Sequence, residues 1–247
     1  MQPVRVTFLG IGDAFSAAGN HQAAYMVQGD GACLLLDCGS STLTSMKRHG
    51  VDATAIDLIV ISHLHGDHFA GLPYLFLEYT YERRRERPLR IAGPPGTAER
   101  VWALYRAAYK ELAANPLPFA LEFTEIMPRK RAVFGAVHVD PFRVPHQEKE
   151  ISLGLRVGVA GRTILYSGDT GWTAELIAQS QDTDLFICEC CFFESRIPVH
   201  LDYPRIAEHR SQFGSQRVIL THLGREVLAR RREVAIEMAS EGLQVEI

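Results

Sequence analysis

The sequence predicts an α/β fold in which two mixed β-sheets pack face to face with helices on their outer sides, an αββα sandwich. Three observations carry that expectation. The first quarter is rich in short strand-like runs, strands and helices alternate through the middle, and the last third repeats the alternation. A doubly wound α/β sheet yields a similar string of elements, so the candidate site has to decide between the two.

Taken in order, Val4–Leu9, Ala23–Gln28, Cys33–Asp37 and Ile56–Ser62 are β-branched or apolar runs separated by Gly, Asn and Asp, the punctuation of strands and turns. Ser40–His49 interrupts them. It opens on small polar residues and stops just before Gly50, as a capped helix does. Downstream, Leu89–Ala92 reads as a strand and Thr97–Ala113 as a helix, followed by strands at Val137–Val144, Ile151–Val159 and, after an Ala160-Gly161 turn, Thr163–Ser167. In the last third, Asp184–Cys188 and Arg217–Leu220 read as strands, Tyr203–Phe213 and Glu226–Ser240 as amphipathic helices, and Leu243–Ile247 as a closing strand. No linker or low-complexity stretch divides the chain, so one domain over residues 1–247 is expected.

Composition sets the outer bounds. Of the 247 residues, 47% are hydrophobic and 22% charged, which excludes disorder, collagen and coiled coil. A chain of this length buries roughly 70–75% of its unfolded surface, enough for a core without disulfides. The five cysteines are odd in number, crowd at Cys188, Cys190 and Cys191, and form no C-x-x-C pair, which fits a reducing cytoplasm better than a disulfide framework or zinc ribbon. No apolar run approaches the ~20 residues of a membrane helix, and Met1-Gln2-Pro3-Val4-Arg5-Val6 passes into strand-like sequence without a signal-peptide core. Export and membrane insertion are therefore not expected. With 26 basic and 29 acidic residues, a net charge of −3 offers no global field to attract nucleic acid.

The most informative stretch is Ser62-His63-Leu64-His65-Gly66-Asp67-His68, directly behind the apolar strand that begins at Ile56. On a regular strand or helix these side chains would spread over opposite faces, but a loop relaxed by Gly66 can turn them toward one centre. Neutral imidazole and carboxylate are the donors that borderline divalent metals prefer. The bland alternative is a solvated His-rich loop, and the tightness of the pattern behind a buried strand speaks against it.

These residues resemble the metallo-β-lactamase superfold, and the resemblance runs over nearly the whole chain. In that family an aspartate ends an early strand, as Asp37 does in Leu34-Leu35-Leu36-Asp37-Cys38-Gly39, and the His63–His68 loop follows. A lone histidine then follows a strand (His146), an acidic or cysteine position follows another (Asp169), and a last histidine ends a strand (His222). The resemblance implies one metal held by His63, His65 and His146, and a second held by Asp67, His68 and His222. Asp169 would bridge them. Two such cations leave positions open for an attacking water. Zinc is the first choice, with Mn or Fe open, because N and O donors without thiolate suit all three. Asp37 is expected to orient the ligands, although a turn-forming Asp at a strand end is an equally plain reading.

The branches of the superfold narrow by what stands at these positions. Zinc β-lactamases carry cysteine or histidine where Asp169 stands, flavodiiron proteins carry glutamate where His65 stands, and glyoxalase II has a long helical extension for which the stretch after His222 is short. The tail resembles ribonuclease Z and the cyclic-phosphate phosphodiesterases. In that branch a glutamate after the bridging aspartate and a histidine 22 residues before the last ligand assist cleavage, positions that Glu189 and His200 match. Leu89–Thr97, with its Gly93-Pro94-Pro95-Gly96 turn into a helix, also looks like that branch. The match has gaps. Cys188-Glu189-Cys190-Cys191 stands where ribonuclease Z has His-Glu-Ala-Thr, His200-Leu201-Asp202 where it has His-Ser-Thr, and no Gly/Pro-rich basic arm for gripping tRNA is evident.

The resemblance thus implies a metallo-hydrolase for a small phosphodiester or cyclic phosphate. Asp67 would hold the attacking water, His200 would donate a proton to the phosphoryl or leaving oxygen, and Glu189 would orient His200. An ester, lactone or aryl-sulfate hydrolase, a ribonuclease Z-like tRNA 3′-end endonuclease and a non-catalytic metal- or ligand-binding module are the alternatives. The expected partner is a small-molecule substrate. Nucleic acid is disfavoured, no membrane is expected, and a homodimer stays open. The basic run Glu82–Arg87 reads as a solvated helix face with i,i+3 and i,i+4 pairing rather than a phosphate-steering patch. Phe69, Tyr74, Phe76, Tyr79 and Tyr81, at helical spacing, read mainly as core with some at the pocket mouth; Phe192, Phe193 and the nearby cysteines read as packing.

Overall fold

The computed structural model describes residues 3–247; Met1 and Gln2, at the head of the leaderless reading, lie outside them. The first sheet holds β1 (Arg5–Gly10), β2 (Ala24–Gly29), β3 (Ala32–Leu36), β4 (Leu58–Val60), β5 (Leu89–Gly93) and β6 (Leu121–Glu125). The second holds β7 (Ala132–Phe134), β8 (Val137–Arg143), β9 (Leu153–Val159), β10 (Arg162–Tyr166), β11 (Leu185–Glu189) and β12 (Arg217–Thr221), and β13 (Gln244–Glu246) returns to the first sheet. Their spatial orders are β13-β1-β2-β3-β4-β5-β6 and β12-β11-β10-β9-β8-β7. Both sheets are mixed. The first is antiparallel from β13 to β3 and parallel from β3 to β6; the second is antiparallel from β7 to β10 and parallel through β12.

Strand alternation explains how the first sheet serves two cores. Val6, Phe8, Tyr25, Val27, Leu34, Leu36 and Val60 face the second sheet, while Leu9, Met26, Leu35, Ile59 and Ile61 face the other way. Burial on both faces is why these strands read as nearly continuous apolar runs. The outer face packs against α1 (Thr42–Arg48), α3 (Leu72–Leu77) and α4 (Thr97–Ala108) through Met46, Leu72, Phe76 and Tyr105. Leu176, Ile206 and Val227, from α5 (Glu175–Ser180), α6 (Tyr203–His209) and α7 (Arg225–Ala229), join the core that the two sheets share. Asp30-Gly31 and Ala160-Gly161, with positive φ at both positions of each pair, close the β2–β3 and β9–β10 hairpins, as turns matched to strand twist require.

Several expectations need correction. Glu226–Ser240 is not one helix: α7 ends at Ala229, a 3-10 turn follows at Arg231–Glu233, and the rest runs extended along β12, with Leu220 donating to Glu237 O and Ala239 donating to Leu220 O. Glu82–Arg87 is not a helix face either. A π-turn over Glu78–Glu82 ends there, and the chain bends so that Arg85 is buried, donating to the carbonyls of Thr54, Arg87 and Pro88 with its guanidinium 5.3 Å from the Tyr79 ring. The helix from Thr97 stops at Ala108. Of the aromatic stripe, Phe69, Phe76 and Tyr79 are core, whereas Tyr74 and Tyr81 are exposed. All five thiols are free and buried.

Candidate metal centre and active site

The candidate residues collect where strands end. Asp37 follows β3, Ser62 and His63 lie just past β4, His146 follows β8, Asp169 follows β10, Glu189 ends β11 and His222 follows β12. Two of these ends turn through a left-handed residue, Asp37 at φ 56° and His222 at φ 51°, a conformation costing roughly 1–2 kcal/mol that swings each side chain out of its strand. After β4 the chain leaves the sheet, and His65 has extended backbone (φ −85°, ψ 149°). Gly66 then opens the short helix α2 (Gly66–Phe69), so Asp67 and His68 stand on a helical turn. Gly39 lets this turn approach the end of β3, since a Cβ there would lie 2.4 Å from Asp67 O, and Cys38 N donates to His68 O at 2.6 Å.

All seven proposed ligands are brought together. One group contains His63, His65 and His146 and another Asp67, His68, Asp169 and His222, with one potential donor atom per residue lying within 4.8 Å of the others in its group. Asp169 Oδ2 lies between the groups, 3.2 Å from His68 Nε2, 3.3 Å from His222 Nε2, 3.9 Å from His63 Nε2 and 4.0 Å from His146 Nε2. Asp67 Oδ2 stands 3.2 and 3.3 Å from the same His68 and His222 nitrogens.

Several ligands are fixed from behind. Asp37, fully buried, accepts from Ser62 N and Oγ at 2.7 Å and from the Tyr166 hydroxyl at 2.6 Å, and holds His68 Nδ1 at 2.7 Å, so its strand-end turn and its orienting contact coexist. His63 Nδ1 meets Ser62 Oγ at 3.1 Å, and His146 Nδ1 meets Val199 O at 2.9 Å. His65 Nε2 meets Gln147 Nε2 at 3.2 Å, which leaves its Nδ1 3.0 Å from His146 Nε2. Such partners set which nitrogen faces the centre.

The donor set passes a direct test for a metal. His63 Nε2, His68 Nε2, His222 Nδ1 and Asp169 Oδ1 are buried without any hydrogen-bond partner. Orphaned buried polar atoms are rare and call for a cause; all four residues belong to the cluster, and two of the four atoms, His63 Nε2 and His68 Nε2, face Asp169 Oδ2. Imidazole nitrogens and carboxylate oxygens are also the donors a zinc-type cation takes. The electrostatics of the first group agree. Burial and the neighbouring His68 push His63 well below its ordinary value, and burial lowers His65 and His146, keeping their rings neutral. At Asp169 and Asp67 burial alone would raise the carboxyls, but His222 and His68 around Asp169, and His68 around Asp67, outweigh it and hold both ionised. At His68 and His222 burial is likewise outweighed, by Asp169 and Asp67, and both rings are raised.

Glu189 and His200 lie beside the cluster. Glu189, fully buried, stands 3.1 Å through Oε1 from His200 Nδ1 and accepts from Thr170 N at 2.5 Å. The His200 ring packs 4.9 Å from His146 and stacks at 5.6 Å on His222. Burial raises the Glu189 carboxyl, and at His200 burial is outweighed by Glu189, which raises the imidazole. Two open grooves adjoin the site and share Trp172 and Pro198: one of about 280 Å³ beside His200, and one of about 600 Å³ beside His146 and Gln147. Ser62, Gln147, Tyr166 and Val199 were not among the candidates read from sequence. Ser62, Gln147 and Val199 each adjoin a candidate, His63, His146 and His200, but only Ser62 acts on its neighbour; Gln147 and Val199 reach His65 and His146 from distant segments, as Tyr166 reaches Asp37.

Fold and donor set together define a metallo-hydrolase of the metallo-β-lactamase fold. The chain belongs to the family described as anti-Pycsar protein Apyc1, whose profile matches residues 4–241. It is 25% identical to a ribonuclease Z of Methanosarcina acetivorans over 89% of this chain and 87% of that one. It is 31% identical to zinc phosphodiesterase ELAC protein 1 of Bos taurus over 66% of this chain and 43% of that one. Among solved structures, the metallo-β-lactamase fold protein YhfI of Bacillus subtilis superposes over the whole of both chains with a TM-score of 0.80 at 22% identity, a likeness of fold.

Proposed function

We propose that the protein is a phosphodiesterase for a small phosphodiester or cyclic phosphate, working with two divalent metal ions, zinc first. The observation that carries this reading is the His200–Glu189 pair at the rim of the His/Asp cluster, where a leaving oxygen can receive a proton. His63, His65 and His146 would hold one ion, Asp67, His68 and His222 the other, and Asp169 both. Cations so held supply Lewis acidity, polarising phosphoryl oxygens and acidifying water. Asp67 and Asp169, kept ionised, accept hydrogen bonds from the attacking water and fix its direction. His200, held by Glu189, donates to the leaving or phosphoryl oxygen, and buried Glu189 stabilises the imidazolium before transfer. Asp37 keeps His68 turned toward the centre.

A small substrate suits the surroundings. The two grooves are of the size that takes a small molecule. Several of the basic residues that could track a polyanion are engaged within the chain: Arg83 with Asp52, Arg87 with Asp57, Arg90 with Glu122 and Arg131 with Asp140, while Arg85 is buried. Relatives named zinc phosphodiesterase support phosphodiester chemistry. The family's description, anti-Pycsar protein, is taken as the setting in which that hydrolysis would act. Relatives named ribonuclease Z favour a second reading, cleavage of a tRNA 3′ end. Protein loaded separately with Zn and Mn, assayed on bis-p-nitrophenyl phosphate, cyclic nucleotides, aryl esters, lactones and a tRNA precursor, separates these. Turnover of the small phosphodiesters is expected. Activity confined to esters or lactones would overturn the proposal, and tRNA processing lost at raised salt would promote the second reading.

A further inference from the structure

His200 is not on a strand or helix. It sits near the end of a strap, residues 192–202, closed at its base by Phe192 N donating to Leu201 O at 3.2 Å and Tyr203 N donating to Phe192 O at 2.8 Å. The same strap offers Val199 O to His146 Nδ1 at 2.9 Å. Its far end is well held, because Glu189 accepts from Leu201 N and Asp202 caps α6 by accepting from Arg205 N. Its near end lacks any strand pairing beyond Phe192, yet three successive amides there point at one atom. Phe193 N, Glu194 N and Ser195 N donate to Glu226 Oε2 at 3.0, 2.8 and 2.9 Å, and Ser195 Oγ donates to Glu226 Oε1 at 2.5 Å.

Glu226 lies in the first turn of α7, four residues past His222. Gly224 brings the two segments into backbone contact, since a Cβ there would stand 2.1 Å from Cys191 O. Arg230, on the next turn, pairs with Glu194 and lies 5.0 Å over the Phe193 ring, which stacks on Tyr203. The Ser195 hydroxyl and amide hold the Glu226 carboxyl below its ordinary value, as four converging donors should.

We propose that Glu226 is a positioning residue for His200, its carboxylate pinning the near end of the strap to the segment that carries His222. It never touches substrate; it sets where the His200 imidazole stands relative to the cluster. The proposal rests on the reading of His200 as proton donor. The strap contacts can be tested without it.

Glu226→Ala is expected to lower kcat on bis-p-nitrophenyl phosphate roughly 10- to 100-fold with KM little changed, the scale of a misplaced catalytic group. Glu226→Gln, whose amide oxygen can take the three N–H donors while its NH2 meets Ser195 Oγ, is expected to recover most of that loss. In a His200→Ala background Glu226→Ala should change kcat by less than about twofold, because the two act as one unit. Independent of turnover, the amides of Phe193, Glu194 and Ser195 should exchange with solvent faster in Glu226→Ala, and the downfield Nδ1 proton of His200 against Glu189 should broaden away. A full loss persisting in the His200→Ala background, or unchanged exchange and an intact His200 signal, would overturn the proposal. If the unmodified protein does not cleave the phosphodiester at all, the functional reading fails, and the exchange and His200 signals still decide the role of Glu226.

Discussion

The two sheets build their halves of the centre differently. On the first sheet, His63, His65, Asp67 and His68 lie within six consecutive positions, and the fully buried Asp37 ties their backbone and His68 to one carboxylate. On the second, His146, Asp169 and His222 come from three separate strand ends, and His146 and His200 depend on a strap for their placing. The first half is held by the same hydrogen bonds that satisfy the core. The second leans in part on a strap, residues 192–202, that belongs to neither sheet. Damage to the Asp37 network should therefore show in stability and metal affinity, and damage to the strap that carries His200 in turnover with the fold intact.

Asp169→Ala is the largest break, since its carboxylate faces both groups. At least one of two ions per chain should be lost, and turnover with it. Metal analysis finding one tightly bound ion in both wild type and variant would discard the dinuclear centre. Next comes His200→Ala, a pure second-half lesion, for which a fall of roughly two to four orders of magnitude in phosphodiester turnover is expected with metal content and melting temperature unchanged. Equal turnover would return His200 to a packing role. Asp37→Ala, a first-half lesion, should weaken metal binding by roughly 10- to 100-fold and cost about 3–5 kcal/mol in denaturant unfolding, because Ser62, His68 and Tyr166 lose a buried partner together. Wild-type stability in that variant would abolish the contrast drawn above. The smallest effect belongs to the exposed arginines. Arg83→Ala and Arg84→Ala should leave small-substrate turnover within about twofold at any ionic strength, whereas Arg85→Ala should lower the unfolding midpoint.

How much of this was legible in the sequence follows the same division. The His63–His68 cluster announces itself because its donors are contiguous behind an apolar strand. His146, Asp169 and His222 gain meaning only from their order and strand-end places. Gln147, Tyr166 and Val199 act through contacts made across the fold, and standing next to His146 and His200 tells nothing of what Gln147 and Val199 touch; Glu226 reads only as the start of a helix. The long helix expected at Glu226–Ser240 fails because Leu220 recruits Glu237 and Ala239 as an edge pairing, a tertiary contact that overrides helical periodicity. The Glu82–Arg87 run misleads for a related reason: its charge pattern suits a helix surface, but Arg85 turns inward and donates to the carbonyls of Thr54, Arg87 and Pro88. β6 and β7 escape notice because one is largely exposed and the other has three residues.

The contacts that join the sheets at the centre are also among the longest in the chain. His222 meets Asp67 across 155 positions, Tyr166 meets Asp37 across 129, and the Tyr25 hydroxyl meets Thr221 across 196. Loop closure over such spans must be completed before those contacts give anything back, so assembly of the donor cluster belongs late in folding and should be slow beside proteins rich in local contacts. Until the sheets dock, His63 and His68 lack Asp169, and His222 lacks Asp67. In stopped-flow refolding, the rate at which the chain gains tight metal binding should match the slowest phase of tertiary burial and should trail the formation of the β2–β3 and β9–β10 hairpins.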